Sequence, residues 1–75
     1  MTVSDAARVA LEKLARPATV DEILQKIQEQ GLYEFKAKDP RGVLSSALRS
    51  RSAGSPSLRG EPIFRRDSAA KYSLS

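Results

Sequence analysis

The sequence predicts an α+β fold: a three-helix body followed by a C-terminal β-hairpin. Three observations predict it. Apolar residues recur at helical spacing over three successive stretches, each with its own start signal. The pattern then breaks in a Ser/Gly/Pro-rich stretch that begins at Ser52. It resumes as two short strand-like runs on either side of Asp67. The 75 residues suffice for a single domain, 1–75. At that size folding buries only about 60% of the unfolded chain's surface, so the core is small. The abrupt end at Leu74-Ser75 fits a module of a longer protein.

The first helix is expected to start from Ser4 as cap and to run to about Ala15. Val3, Ala7, Ala10, Leu11 and Leu14 share one face of it, while Asp5, Arg8, Glu12 and Lys13 lie away. Val9 falls among the polar residues and is expected exposed. Arg16-Pro17 ends the helix, because Pro17 pushes Arg16 out of the helical region. Thr19 opens a second helix, with Glu22 at capping-box spacing and Val20, Ile23, Leu24 and Ile27 as its apolar stripe. Gly31 supplies the left-handed stop and Leu32 the apolar contact that follows such a stop. In the connection from Leu32 to Lys38, at least one of Tyr33 and Phe35 is expected to pack over the helix junction; base stacking is the sharper alternative.

The third helix spans Pro40 to Arg51. Asp39 caps it, and Pro40 at the first position brings a φ that suits a helix. Val43, Leu44, Ala47 and Leu48 gather on one side. Gly42, Ser45, Ser46 and Arg49 fall on the other, with Arg41 at its edge. That side is small and basic, so its backbone could lie close against a large partner. Arg51 is expected to cap its own helix or to pair with Glu61.

Residues 52–61 read as a flexible loop. Ile63 to Arg66 and Lys71 to Leu74 read as two strands, joined by a four-residue turn from Asp67 to Ala70. Phe64, Tyr72 and Leu74 can share the inner face, which leaves Arg65 and Lys71 exposed near the tip. An isolated hairpin is marginal in water, so this one must lie on the helices. Three helices followed by a basic hairpin is the order of a winged helix-turn-helix.

Composition excludes several classes of function. The chain has no cysteine and no histidine, which removes thiolate metal sites and the commonest general base. With no Gly-rich phosphate loop and no convincing carboxylate pair either, no catalytic residue, metal site or cofactor is expected. Mean hydropathy is −0.42 and no apolar run approaches the roughly 20 residues of a membrane span. The N-terminus lacks the basic-then-apolar order of a signal peptide. An intracellular home is expected, a bacterial cytoplasm or nucleoid ahead of a nucleus. The net charge of +4 is unevenly spread. Residues 1–35 carry four basic and six acidic side chains, net −2, whereas 36–75 carry nine basic and three acidic, net +6. A basic half on a small domain is the footprint of a polyanion binder. The plain alternative is a solvated, arginine-rich surface.

The sequence also resembles the HARE-type helix-turn-helix domains. These are winged helices of additional-sex-combs-like chromatin proteins, the delta subunit of bacterial RNA polymerase and some restriction-endonuclease-associated proteins. The resemblance rests on Arg16-Pro17, Glu22-Ile23, Gly31-Leu32-Tyr33, Lys36-Ala37-Lys38-Asp39-Pro40, Leu44, Leu48, Phe64 and Tyr72-Ser73-Leu74, and spans Ala7 to Leu74. Two features depart from it. The stretch from Ser52 to Glu61 is long and rich in Ser and Pro, and the turn from Asp67 to Ala70 lacks the glycine such turns often carry. The resemblance implies a non-catalytic DNA-binding, chromatin- or transcription-associated adaptor.

On this reading double-stranded DNA is the partner and the third helix enters the major groove. Arg41 and Arg49 are the expected strongest contacts, with Ser45 and Ser46 beside them. Lys36 and Lys38 would touch phosphates near the helix N-terminus. Arg65, Arg66 and Lys71 would set the wing on a phosphate backbone or in a minor groove. The domain is expected to act as a monomer. The competing reading is a protein-docking winged helix, on RNA polymerase or a chromatin complex, with the acidic first half or Val9 meeting a protein partner.

Overall fold

A computed structural model describes residues 2–53, 62–67 and 69–74. Three helices come first, α1 (Val3–Leu14), α2 (Val20–Gln30) and α3 (Pro40–Ser50). Three short strands follow, β1 (Ser52–Ala53), β2 (Phe64–Arg66) and β3 (Tyr72–Leu74). The α+β winged helix-turn-helix architecture read from the sequence is the one observed.

Each helix start is set locally. The cap of α1 is Thr2, not Ser4: Thr2 Oγ1 accepts from the Asp5 N–H at 3.1 Å and Asp5 reaches back to the Thr2 N–H at 3.4 Å. This reciprocal pair outcompetes the single serine, and it places Ser4 inside the helix. Thr19 and Glu22 form the same device on α2, at 3.0 and 3.2 Å. Asp39 caps α3 by accepting from the Gly42 N–H at 3.1 Å, with Pro40 at the first position. Helix ends are equally explicit. Gly31 takes φ 61° after α2, and Leu32 N–H closes back on Ile27 O at 3.0 Å. Ala15 adopts φ 56° after α1, a left-handed stop without glycine.

The core is one cluster at the junction of the three helices and the hairpin. Ala6, Ala7, Ala10 and Leu11 of α1 meet Ile23 and Ile27 of α2, Leu44 and Leu48 of α3, and Phe64 and Tyr72 of the hairpin. Tyr33 and Phe35 pack half-buried against this cluster, edge to face, with ring centroids 5.0 Å apart. The expected packing role holds for both. Three apolar expectations need correction. Val43 sits at the rim of the α3 stripe, 39% exposed. Leu74 is 40% exposed at the end of β3. Val9, expected exposed, is half-buried.

The sheet order is β1-β2-β3. Ser52 and Ala53, expected to begin a loop, instead pair parallel with Phe64 and Arg65. Ser52 is buried, and its hydroxyl donates to Leu48 O at 2.6 Å, satisfying a free carbonyl at the end of α3. The rest of that expected loop, 54–61, lies outside the described residues, as does the proposed Arg51–Glu61 pair. Arg51 does close its own helix, its N–H donating to Leu48 O and Arg49 O. β2 and β3 form the expected antiparallel hairpin, in register Phe64↔Leu74, Arg65↔Ser73 and Arg66↔Tyr72. Pairing continues one residue further than expected, because Asp67 N–H donates to Lys71 O at 2.9 Å. Asp67 Oδ1 also accepts from the Ala69 and Lys71 N–H groups, at 2.9 and 3.0 Å. Ala70 takes φ 59°, the left-handed place where a glycine is usual in such turns. The hairpin is tied to the turn before α2 by two bonds between Ala18 and Tyr72, at 2.9 and 2.7 Å.

Candidate nucleic-acid interface

Residues four apart on a helix stack on one face. Arg41, Ser45 and Arg49 therefore form a stripe along α3, on the side away from Leu44 and Leu48. The stripe is one wall of a groove of about 320 Å³. The opposite wall is the hairpin, through Arg66, Ala70 and Tyr72; the start of α2, Thr19 to Asp21, closes one end. Strand alternation explains which wing arginine arrives there. Phe64 faces the core, so Arg66, two residues on, shares its face of the hairpin. Arg65 lies between them and belongs to the other face, with Ser73 opposite it.

Of the expected site residues, the fold brings Arg41, Ser45, Arg49 and Arg66 together. Ser46 is exposed on α3 outside the groove lining. Lys36 and Lys38 are exposed on the segment leading into α3, and Lys71 is exposed where the hairpin turn ends. Gly42 has a different role from the close backbone approach expected of it. A Cβ there would collide with Asp39 Oδ2, so the glycine leaves room for the cap of α3.

The electrostatics of the groove are mostly positive, with one exception. Arg49 and Arg66 make no side-chain hydrogen bond or ion pair among the described residues. Arg41 does, since its Nε donates to Asp21 Oδ1 at 2.7 Å. Asp21 is the site residue that sequence reasoning missed. The signal was the capping box, which commits Thr19 and Glu22 to the helix start and leaves Asp21 pointing outward between them. Glu22 itself is spent on structure. The Thr19 N–H, and then the Arg16 guanidinium at 2.8 Å, pull its carboxyl down from the ordinary 4.5 to about 2.

Among the described residues, no helix is long and apolar enough to cross a membrane and no group of three His, Cys, Asp or Glu could hold a metal ion. The arrangement can bind a polyanion along α3 and receive it against the hairpin. No curated protein and no solved structure matches the chain. The family model of the HARE-HTH domain, described as an HTH domain of ASXL proteins and restriction endonucleases, does match, over residues 1–75. The chain therefore belongs to the HARE-HTH family, whose domains are DNA-binding helix-turn-helix units and not catalysts.

Proposed function

We propose that this domain binds double-stranded DNA, with α3 seated in the major groove and the hairpin laid as a wing on the neighbouring backbone. One observation supports this reading above the others. Arginines from two separate parts of the fold, Arg41 and Arg49 on α3 and Arg66 on β2, line one groove. Arg49 and Arg41 would face base edges, with Ser45 between them and Ser46 at the flank. Lys36 and Lys38 would hold phosphates beside the start of α3. Arg65 and Lys71, exposed on the hairpin, would hold the strand beyond the wing. The domain acts on this reading as a monomeric, non-catalytic adaptor inside the cell, on a nucleoid ahead of a nucleus. Its work would serve transcription, chromatin or DNA modification.

A duplex titration at several salt concentrations tests it. Each phosphate neutralised should contribute a slope of about −0.9 in log K against log salt. An absence of binding to any duplex at low salt would refute the reading. A second surface favours the docking alternative in that event. A shallow groove of about 410 Å³ runs between the end of α1 and the end of β3, lined by Leu11, Ala15, Pro17 and Leu74. It shares no residue with the basic groove. RNA polymerase or a chromatin complex would then be the kind of partner to try against it.

A further inference from the structure

Asp21 stands at the second position of α2 and Arg41 at the second position of α3. Their side chains meet through a single hydrogen bond, Arg41 Nε to Asp21 Oδ1, at 2.7 Å. Both side chains are well exposed, 60% and 67%. An exposed pair of this kind contributes little to folding. A carboxylate at the mouth of a phosphate-binding groove also opposes the ligand at long range. Neither folding nor charge attraction accounts for the pair, so its geometry is the informative part.

A guanidinium is planar and carries five N–H donors, one on Nε and two on each Nη. Engaging Nε leaves the outer edge of the plane, formed by Nη1 and Nη2, without a partner among the described residues. That edge is a fork of two parallel donors, and it belongs to the wall that also carries Ser45 and Arg49. In the major groove of B-form DNA, guanine is the base that offers two neighbouring acceptors, O6 and N7. Adenine offers one acceptor beside a donor, thymine one acceptor beside a methyl, and cytosine a donor. A free arginine side chain samples many rotamers and settles on the nearest phosphate as readily as on a base. One held at Nε presents its fork in a single orientation.

We propose that Asp21 is a positioning residue: it holds Arg41 through Nε so that the free Nη1–Nη2 edge reads a guanine. The proposal rests on the duplex-binding reading above and adds to it a base preference and the residue that sets it. Asp21 has a second effect in the same direction. Any register of the duplex that brings a phosphate to this place meets its negative charge, so loosely placed complexes are weakened more than the one in which a base edge faces Arg41.

The test compares the whole chain on two duplexes of equal length, one rich in G·C and one all A·T, at one salt concentration. The wild type should favour the G·C-rich duplex. Asp21→Ala should tighten binding to the A·T duplex and shrink the preference, by up to roughly 5- to 100-fold, the range spanned by one bidentate arginine–guanine contact. Arg41→Lys should lose the preference as well, because an ammonium is a point donor without a fork. Asp21→Asn keeps an oxygen that can accept from Nε but removes the charge. It should tighten both duplexes and retain most of the preference, which a purely electrostatic role for Asp21 would not produce. Unchanged folding of each variant, seen by circular dichroism, excludes a loss through α2. The same G·C to A·T ratio in wild type and Asp21→Ala would overturn the role of Asp21 and leave duplex binding standing. Failure of every variant and the wild type to bind either duplex would overturn both.

Discussion

Replacing Arg49 by alanine isolates the contribution of α3. Arg49 is exposed and unpaired among the described residues, so its removal should leave stability within about 0.5 kcal/mol. The groove carries three arginines, Arg41, Arg49 and Arg66, against one carboxylate, Asp21, a local charge of +2 that the substitution halves to +1. Two outcomes support the interface, and salt distinguishes them. If Arg49 grips a guanine, affinity for a preferred duplex falls by about 1–3 kcal/mol, roughly 5- to 150-fold, with the salt slope unchanged. If it holds a phosphate, affinity falls evenly across sequences and the slope of log K against log salt flattens by about 0.9. Fluorescence anisotropy on labelled duplexes, at three or so salt concentrations, reads both quantities. An affinity and a slope both equal to wild type would refute the placement of DNA along this stripe. Arg66→Ala, measured in parallel, then asks whether the opposite wall takes part.

Three further expectations concern the frame that holds the groove. Gly42→Ala alone should change stability little, because the usual gain of about 1 kcal/mol from alanine in a helix is offset by displacing the Asp39 cap. In an Asp39→Ala background the same change should stabilise by about 1 kcal/mol; additivity of the two in urea unfolding would contradict the collision. Ala70→Gly should raise stability by about 0.5–1 kcal/mol, since a left-handed alanine costs about 1–2 kcal/mol and glycine's extra freedom when unfolded offsets part of that. A lowered urea midpoint would count against the turn geometry. Glu22, depressed in the folded state, contributes stability that is full above its ordinary 4.5 and is lost as pH falls toward about 2. Wild type should therefore lose more of its urea midpoint across that window than Glu22→Gln does, and parallel curves would rule out the carboxylate as the cause.

What could be read in the sequence was what short-range chemistry decides. The Thr19–Glu22 box, the Gly31 stop, and the Asp39-Pro40 entry to α3 each involve residues within a few positions of one another. Each is where the residue types placed it. The start of α1 was misplaced because Thr2 and Ser4 are both good caps, and only the reciprocal bond with Asp5 separates them. Features made by distant pairing left no comparable mark. A two-residue strand such as β1, or the single bridge between Ala18 and Tyr72, has no periodicity to detect. For the site, the helical stripe of Arg41, Ser45 and Arg49 was legible in outline. The split between Arg65 and Arg66 follows from strand alternation once Phe64 is known to face inward. The presence of Asp21 beside Arg41 was not legible, because it depends on how α2 crosses α3.

The bridge between Ala18 and Tyr72 has a consequence for how the domain meets a long, stiff ligand. Ala18 is wholly buried, and it clasps the wing's last strand directly before the turn that launches α2. The jaw that α3 and the hairpin form is thus hinged on a residue with a one-carbon side chain, and its gauge is set before any ligand arrives. A jaw of preset gauge rewards a duplex whose local width already matches it and penalises one that must be deformed to enter. Selectivity in this domain can therefore come from the shape of the double helix as much as from the letters written along it.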